Sequence, residues 1–135
     1  MTNRSLRGRC YCGAVEIALD DALTSAFYCH CSRCRAQTGS AFAAIGCIEV
    51  EKFSVRAGEE ALLRSEGSED GHGAVCSRCH ARIYAIVRAR RFVHIPLGIL
   101  TDAPSQRPSF HIFVGSKAPW YDINDGLPQH LELPA

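Results

Sequence analysis

Seven of the eight cysteines in this 135-residue chain fall into three tight clusters, and that grouping constrains the fold more than any other feature. The clusters are Cys10-Tyr-Cys12, Cys29-His-Cys31-Ser-Arg-Cys34 and Cys76-Ser-Arg-Cys79, while Cys47 stands alone in an apolar stretch. Thiols that only fill a core are scattered along a sequence. Pairs separated by one or two residues suit a metal ion, because a tight turn can then aim two sulfurs at one centre. An even count also fits four disulfides, but that pairing needs an oxidising destination. Residues 1–9 are polar, hold three arginines and lack the apolar centre of a secretory signal, so the expectation is a cytoplasmic protein with free thiolates.

Composition narrows the class further. A hydrophobic fraction of 47% on 135 residues is enough for one domain with its own core. No run approaches the roughly 18 apolar residues of a membrane span, so no membrane partner is expected. The formal charge is +1 with every thiol neutral. Metal ligation requires thiolates, and seven of them with two Zn²⁺ ions bring the balance to about −2. A mildly acidic protein lacks the basic footprint of a general nucleic-acid binder, so no nucleic acid is expected either.

Short apolar segments between turn residues predict a mostly β fold with little helix. Residues 14–19 roughly alternate, and 53–56, 83–87, 92–95 and 110–114 also read as strands. Residues 40–50 form a longer candidate strand, in which Gly46 suggests a bulge or bend. Residues 59–64 combine helix-favouring residues with strand length and suit either. Residues 67–73 have the composition of a loop. Prolines at 104, 108, 119, 128 and 134 predict an extended, irregular tail.

Zinc takes about four ligands in a tetrahedron. Cys10, Cys12, Cys76 and Cys79 would complete one closed cage, whose binding energy is folding energy. Cys29, Cys31 and Cys34 supply only three ligands, which leaves a coordination position open, the usual mark of catalytic zinc. The spacing leaves other pairings open, including Cys47 as a fourth ligand of the middle cluster. Three thiolates make the Zn–Cys₃ unit anionic and a poor Lewis acid, better suited to a soft sulfur ligand than to activating water.

These motifs carry a resemblance. Gly8-x-Cys10-x-Cys12-Gly13-x-Val15, Cys29-His30-Cys31-Ser32-x-Cys34-Arg35, Gly39-Ser40 and Cys76-x-x-Cys79 resemble the glutathione-dependent formaldehyde-activating enzyme family, which includes the centromere protein V proteins. Pro108-Ser-Phe-His111-Ile112 and Lys117-Ala-Pro119-Trp120 are similar to its C-terminal pattern. The resemblance implies an Mss4-like zinc-binding β fold in a single domain over residues 1–135, with a family-like core at about 8–120 and an irregular tail over 121–135. It implies two zinc ions, a structural one on Cys10, Cys12, Cys76 and Cys79 and a catalytic one on Cys29, Cys31 and Cys34. It also implies a carbon–sulfur lyase that interconverts glutathione and formaldehyde with S-hydroxymethylglutathione. The alternative is a zinc-stabilised binding or scaffold module without catalysis. One departure is His80, where the family has glycine after the second Cys-x-x-Cys; another is Val75, where it has an aromatic residue.

His30, Arg33, Arg35 and Ser40 are candidate substrate contacts around the middle cluster, with a thiol such as glutathione as partner. Each has a plainer reading: His30 as a local hydrogen-bonding residue, the arginines as counter-charges to the thiolates. His94 and His111 read as structural histidines and Cys47 as an inert buried thiol. Residues 88–91 read as a solvated turn, and Trp120 and Tyr121 as residues that close the core.

Overall fold

Alternating side chains and frequent turn residues divide the chain into short strands, and two ladders gather them. A computed structural model describes residues 4–134. The first three residues of the polar N-terminal stretch and residue 135, the ends of the expected domain, lie outside the described residues. The strands are β1 (Ser5–Arg9), β2 (Glu16–Asp20), β3 (Ser25–Cys29), β4 (Ala43–Glu49), β5 (Phe53–Ala57), β6 (Leu62–Arg64), β7 (His72–Cys76), β8 (Arg82–Val87), β9 (Phe92–Pro96) and β10 (His111–Ile112). One α-helix, α1 (Ser32–Thr38), lies between β3 and β4. The mostly β class is therefore as expected. No helix among the described residues is long and apolar enough to cross a membrane.

The first sheet has the order β1-β2-β5 and the second β10-β3-β4-β9-β8-β7-β6. All pairings are antiparallel except β10 with β3. One face of the second sheet, with Ile48, Val93 and Ile95, packs on Leu6, Ile17 and Leu19 of the first. Each such fully buried side chain contributes about 1.5–3 kcal/mol to folding. The opposite face carries Phe27, Cys29, Ala43, Ile45 and Cys47 in a smaller cluster. Cys47 stands opposite His94, and His94 opposite Ala85, so these side chains share that outer face.

Several expectations change in detail. Gly46 causes no bulge: it sits in register between Ala26 and Ile95. A Cβ there would lie 2.9 Å from Leu97 and 3.1 Å from Leu23, so the glycine makes room for packing. Residues 59–64 divide into a 3₁₀ turn, Glu59–Ala61, and the strand β6. The loop expected over 67–73 is shorter, because β7 begins at His72 and pairs with Ile86. Trp120 does not close the core; it is 70% exposed. The β8–β9 turn holds Arg88, Ala89 and Arg90 at φ of 53, 57 and 63°, three successive left-handed residues that are not glycine.

Candidate metal centres

The first centre joins the two sheets. Cys10 directly follows β1, and the turn that brings Cys12 round is closed by the Gly13 N–H on the Cys10 carbonyl at 3.0 Å. Cys76 ends β7, and the turn through Cys79 is closed by the His80 N–H on the Cys76 carbonyl at 2.8 Å. His80 has a φ of 65°, the left-handed conformation that a glycine adopts without strain. The four Sγ atoms lie within 4.8 Å of one another. Cys12 Sγ is 3.7 Å from both Cys10 Sγ and Cys76 Sγ. A tetrahedron with metal–sulfur bonds of about 2.3 Å has edges of about 3.8 Å, whereas a disulfide is about 2.05 Å. The spacing is thus that of a metal cage, consistent with zinc, and not of disulfides. The backbone N–H of Val15 donates to Cys10 Sγ at 3.3 Å and favours its thiolate, and that of Arg78 donates to Cys76 Sγ at 3.4 Å. The Ala81 backbone amide, foremost, holds Cys79 down to about 6.

The second centre is built from one short stretch. Cys29 ends β3, Cys31 is the N-cap of α1, and Cys34 lies in its first turn. Cys31 Sγ accepts the Cys34 N–H at 3.2 Å, as a serine or aspartate cap would. The helix closes at Gly39, whose φ of 64° lets its N–H reach the Arg35 carbonyl. The three Sγ atoms also lie within 4.8 Å of one another and could hold a metal ion. A hydrogen bond from Cys29, then one from Cys31 and the Arg82 and Arg33 guanidiniums, pull Cys34 down to about 6. The same hydrogen bond, together with burial, pushes Cys29 up. Cys47, buried on β4, belongs to neither sulfur group.

Cys31 and Cys34 line a groove of about 1620 Å³ that crosses the outer face of the second sheet. Arg33 of α1, Ile45 of β4, Arg82 of β8 and His94 of β9 also stand on its walls. Burial pushes His94 down to about 4, so its imidazole is neutral at pH 7. Its Nε2 is buried without a hydrogen-bond partner.

The expected substrate contacts separate in space. Arg33 is on the groove. Arg35, with a buried and unpartnered Nε, and Ser40, exposed beyond the end of α1, are not among its walls. His30 is fully buried and also off the groove. Its Nε2 lies 2.8 Å from His111 Nδ1, and His111 Nε2 lies 2.9 Å from an Asp125 carboxylate oxygen. The carboxylate accepts the His111 Nε2–H, so His111 Nδ1 accepts from His30 Nε2–H. This chain ties the segment between Cys29 and Cys31 to β10 and to the tail. Burial, then the neighbouring His111, push His30 down to about 4. Tyr121 packs edge-on against Phe42, with ring centroids 5.5 Å apart.

Sequence reasoning did not find Arg82 or Asp125, and it read His94 as structural only. Arg82 is three residues beyond Cys79 and shares a groove with Cys31 and Cys34 through strand order alone. Nothing in the spacing of His30, His111 and Asp125 announces their contact.

Comparison with known proteins adds relatives. The glutathione-dependent formaldehyde-activating enzyme family pattern matches residues 5–116. A relative from Colletotrichum graminicola with the provisional name of glutathione-dependent formaldehyde-activating enzyme is 30% identical over 116 residues, covering 80% of this chain and 60% of its own length. One from Talaromyces marneffei, with the same provisional name, is 28% identical over 120 residues, covering 81% and 63%. The chain thus spans little more than three fifths of these curated relatives. The crystal structure of a Rhodobacter sphaeroides protein superposes with a TM-score of 0.57 at 25% identity, covering 76% of this chain and 97% of that one.

Proposed function

Because the chain belongs to the glutathione-dependent formaldehyde-activating enzyme family, we propose that it is a zinc-dependent carbon–sulfur lyase-type enzyme acting on glutathione or another thiol adduct. Cys10, Cys12, Cys76 and Cys79 are the proposed ligands of a structural zinc ion. Cys29, Cys31 and Cys34 are the proposed ligands of a catalytic one. The observation that carries this reading is the position of the second trio: two of its three cysteines line a groove, while the first cage joins two sheets. Zinc held by three thiolates supplies a position that favours a fourth sulfur over water.

The proposed substrate is S-hydroxymethylglutathione or a similar hemithioacetal. Its cleavage breaks a C–S bond, leaves the electron pair on sulfur, and releases the hydroxyl proton as the carbonyl forms. Arg33 stands where it can meet the carboxylates of a peptide-like thiol. His94 stands on the groove wall, whereas His30 is fully buried and off the groove. A cytoplasmic location, where thiols stay reduced, is part of the proposal.

The test is direct. Zinc-loaded protein should contain two ions per chain and change the equilibration rate of glutathione and formaldehyde with their adduct. In a cobalt-substituted sample, glutathione should perturb the metal's absorption spectrum. Two zinc ions with neither a rate effect nor a spectral change at millimolar glutathione would leave a structural module in place of an enzyme.

A further inference from the structure

We infer that Arg82, together with Arg33 on the same groove, forms a carboxylate clamp that makes the site select anionic thiols over neutral ones. The inference rests on the proposed thiol binding at Cys29, Cys31 and Cys34. It adds which residues recognise the rest of the ligand, and by which chemistry.

The two guanidiniums arrive from unrelated parts of the fold. Arg33 is in the first turn of α1, between Cys31 and Cys34. Arg82 opens β8, opposite Val75 of β7. Both line the groove that Cys31 and Cys34 line. Neither side chain makes a hydrogen bond or ion pair among the described residues. The ion pairs there involve Arg4, Lys52, Arg64 and His111 instead. Two guanidiniums without partners among the described residues, each able to bind a carboxylate through paired N–H groups, therefore share one groove with Cys31 and Cys34. The groove's acidic residues, Glu66 and Asp70, lie in the connection between β6 and β7 rather than on the strands or the helix that carry the clamp.

A plainer role exists for the same charges, which is to offset the negative sulfurs. The two roles differ in what they ask of the ligand. Charge compensation affects every thiol alike, whereas a clamp acts only on a thiol that carries a carboxylate.

The experiment uses the full chain loaded with zinc and calorimetric titration with two ligands, glutathione and its diethyl ester. These are the same thiol with both carboxylates present or neutralised. The wild type should bind glutathione about tenfold or more tightly than the ester, as a charge-assisted hydrogen bond pair implies. Arg82→Gln and Arg33→Gln should each weaken glutathione and leave the ester nearly unchanged, with the zinc content still two per chain. Arg82→Lys keeps the charge and loses the fork, and should recover only part of the preference. If Arg82→Gln weakens both ligands equally, thiol binding stands and the clamp is overturned. If the wild type binds neither ligand, the reading of the site as a thiol site fails and the clamp falls with it. Should Arg82→Gln lose its fold, Arg33→Gln on the exposed face of α1 tests the clamp in its place, with the same two outcomes.

Discussion

Replacing His80 with glycine should stabilise the protein, although the substitution deletes a side chain beside a proposed metal ligand. His80 follows Cys79 with a φ of 65°, and its side chain is exposed and without hydrogen bonds. What matters there is the backbone, whose N–H closes the turn on the Cys76 carbonyl at 2.8 Å. A left-handed conformation costs an L-residue roughly 1–2 kcal/mol, and histidine lies near the low end. Glycine removes that cost, but it gives the unfolded chain extra freedom worth about 0.4–1 kcal/mol. The net gain is about 0.5 kcal/mol, close to 2 °C in melting temperature for a chain this size. A β-branched residue has the opposite effect, so His80→Val should lose about 1 kcal/mol or more. Thermal melts at fixed, buffered free zinc would show the order glycine, histidine, valine. Because the cage exists only in the folded chain, zinc affinity should follow the same order, about twofold tighter for glycine. Ala89→Gly, at a φ of 57° in the exposed β8–β9 turn, should stabilise similarly and, through the same linkage, tighten zinc by a similar factor. A glycine variant less stable than wild type, or a valine variant equal to it, would sink the conformational argument.

Other perturbations separate the two centres and the buried histidines. Cys76→Ser opens the cage between the sheets and should unfold or aggregate the protein, whereas Cys34→Ser should leave a folded chain with one zinc fewer and no lyase activity; far-UV circular dichroism with metal analysis checks both. His94 is held at about 4 in the folded state against an unfolded value of 6.5. The unfolded chain therefore takes up the proton first, so this contribution is intact above pH 6.5 and is lost towards pH 4. The slope is about 1.4 kcal/mol per pH unit, or roughly 2 kcal/mol between pH 7 and pH 5. In urea melts, His94→Phe should flatten that part of the pH dependence, and an unchanged slope would remove His94 as its source.

The sulfur clusters and the β class were legible because each is local: two residues suffice for a metal turn and five for an alternating strand. Other elements lacked a local signal. β1, with the sequence Ser-Leu-Arg-Gly-Arg, buries only Leu6 and Gly8, too few apolar positions to read as a strand. α1 buries none of its residues and has no apolar stripe; a cysteine cap and a terminal glycine hold it. Its signal was present in Cys31 followed by helix-favouring residues and Gly39, but the cysteines read first as ligands. The groove was illegible for another reason. Arg33, Arg82 and His94 share one groove because α1 precedes β4 and because β4, β9 and β8 are neighbours in the sheet, and strand order is not written in spacing. Asp125, reached through His111, lies beyond any local pattern.

The two sulfur groups also differ in when they can exist. Cys29, Cys31 and Cys34 are all present once the chain has been synthesised to residue 34, and gathering them closes a loop of a few residues. The other four cannot meet until Cys79 has emerged, and Cys12 and Cys76 are 64 residues apart. The longer loop costs about 2 kcal/mol more in chain entropy, before any gain from the sheets that bring its ends together. If both groups hold zinc as proposed, the trio is the one able to take its ion first during synthesis, and the ion that fastens the fold comes last. Scarcity of metal at that late moment leaves a chain with its proposed reactive centre loaded and its sheets not yet joined.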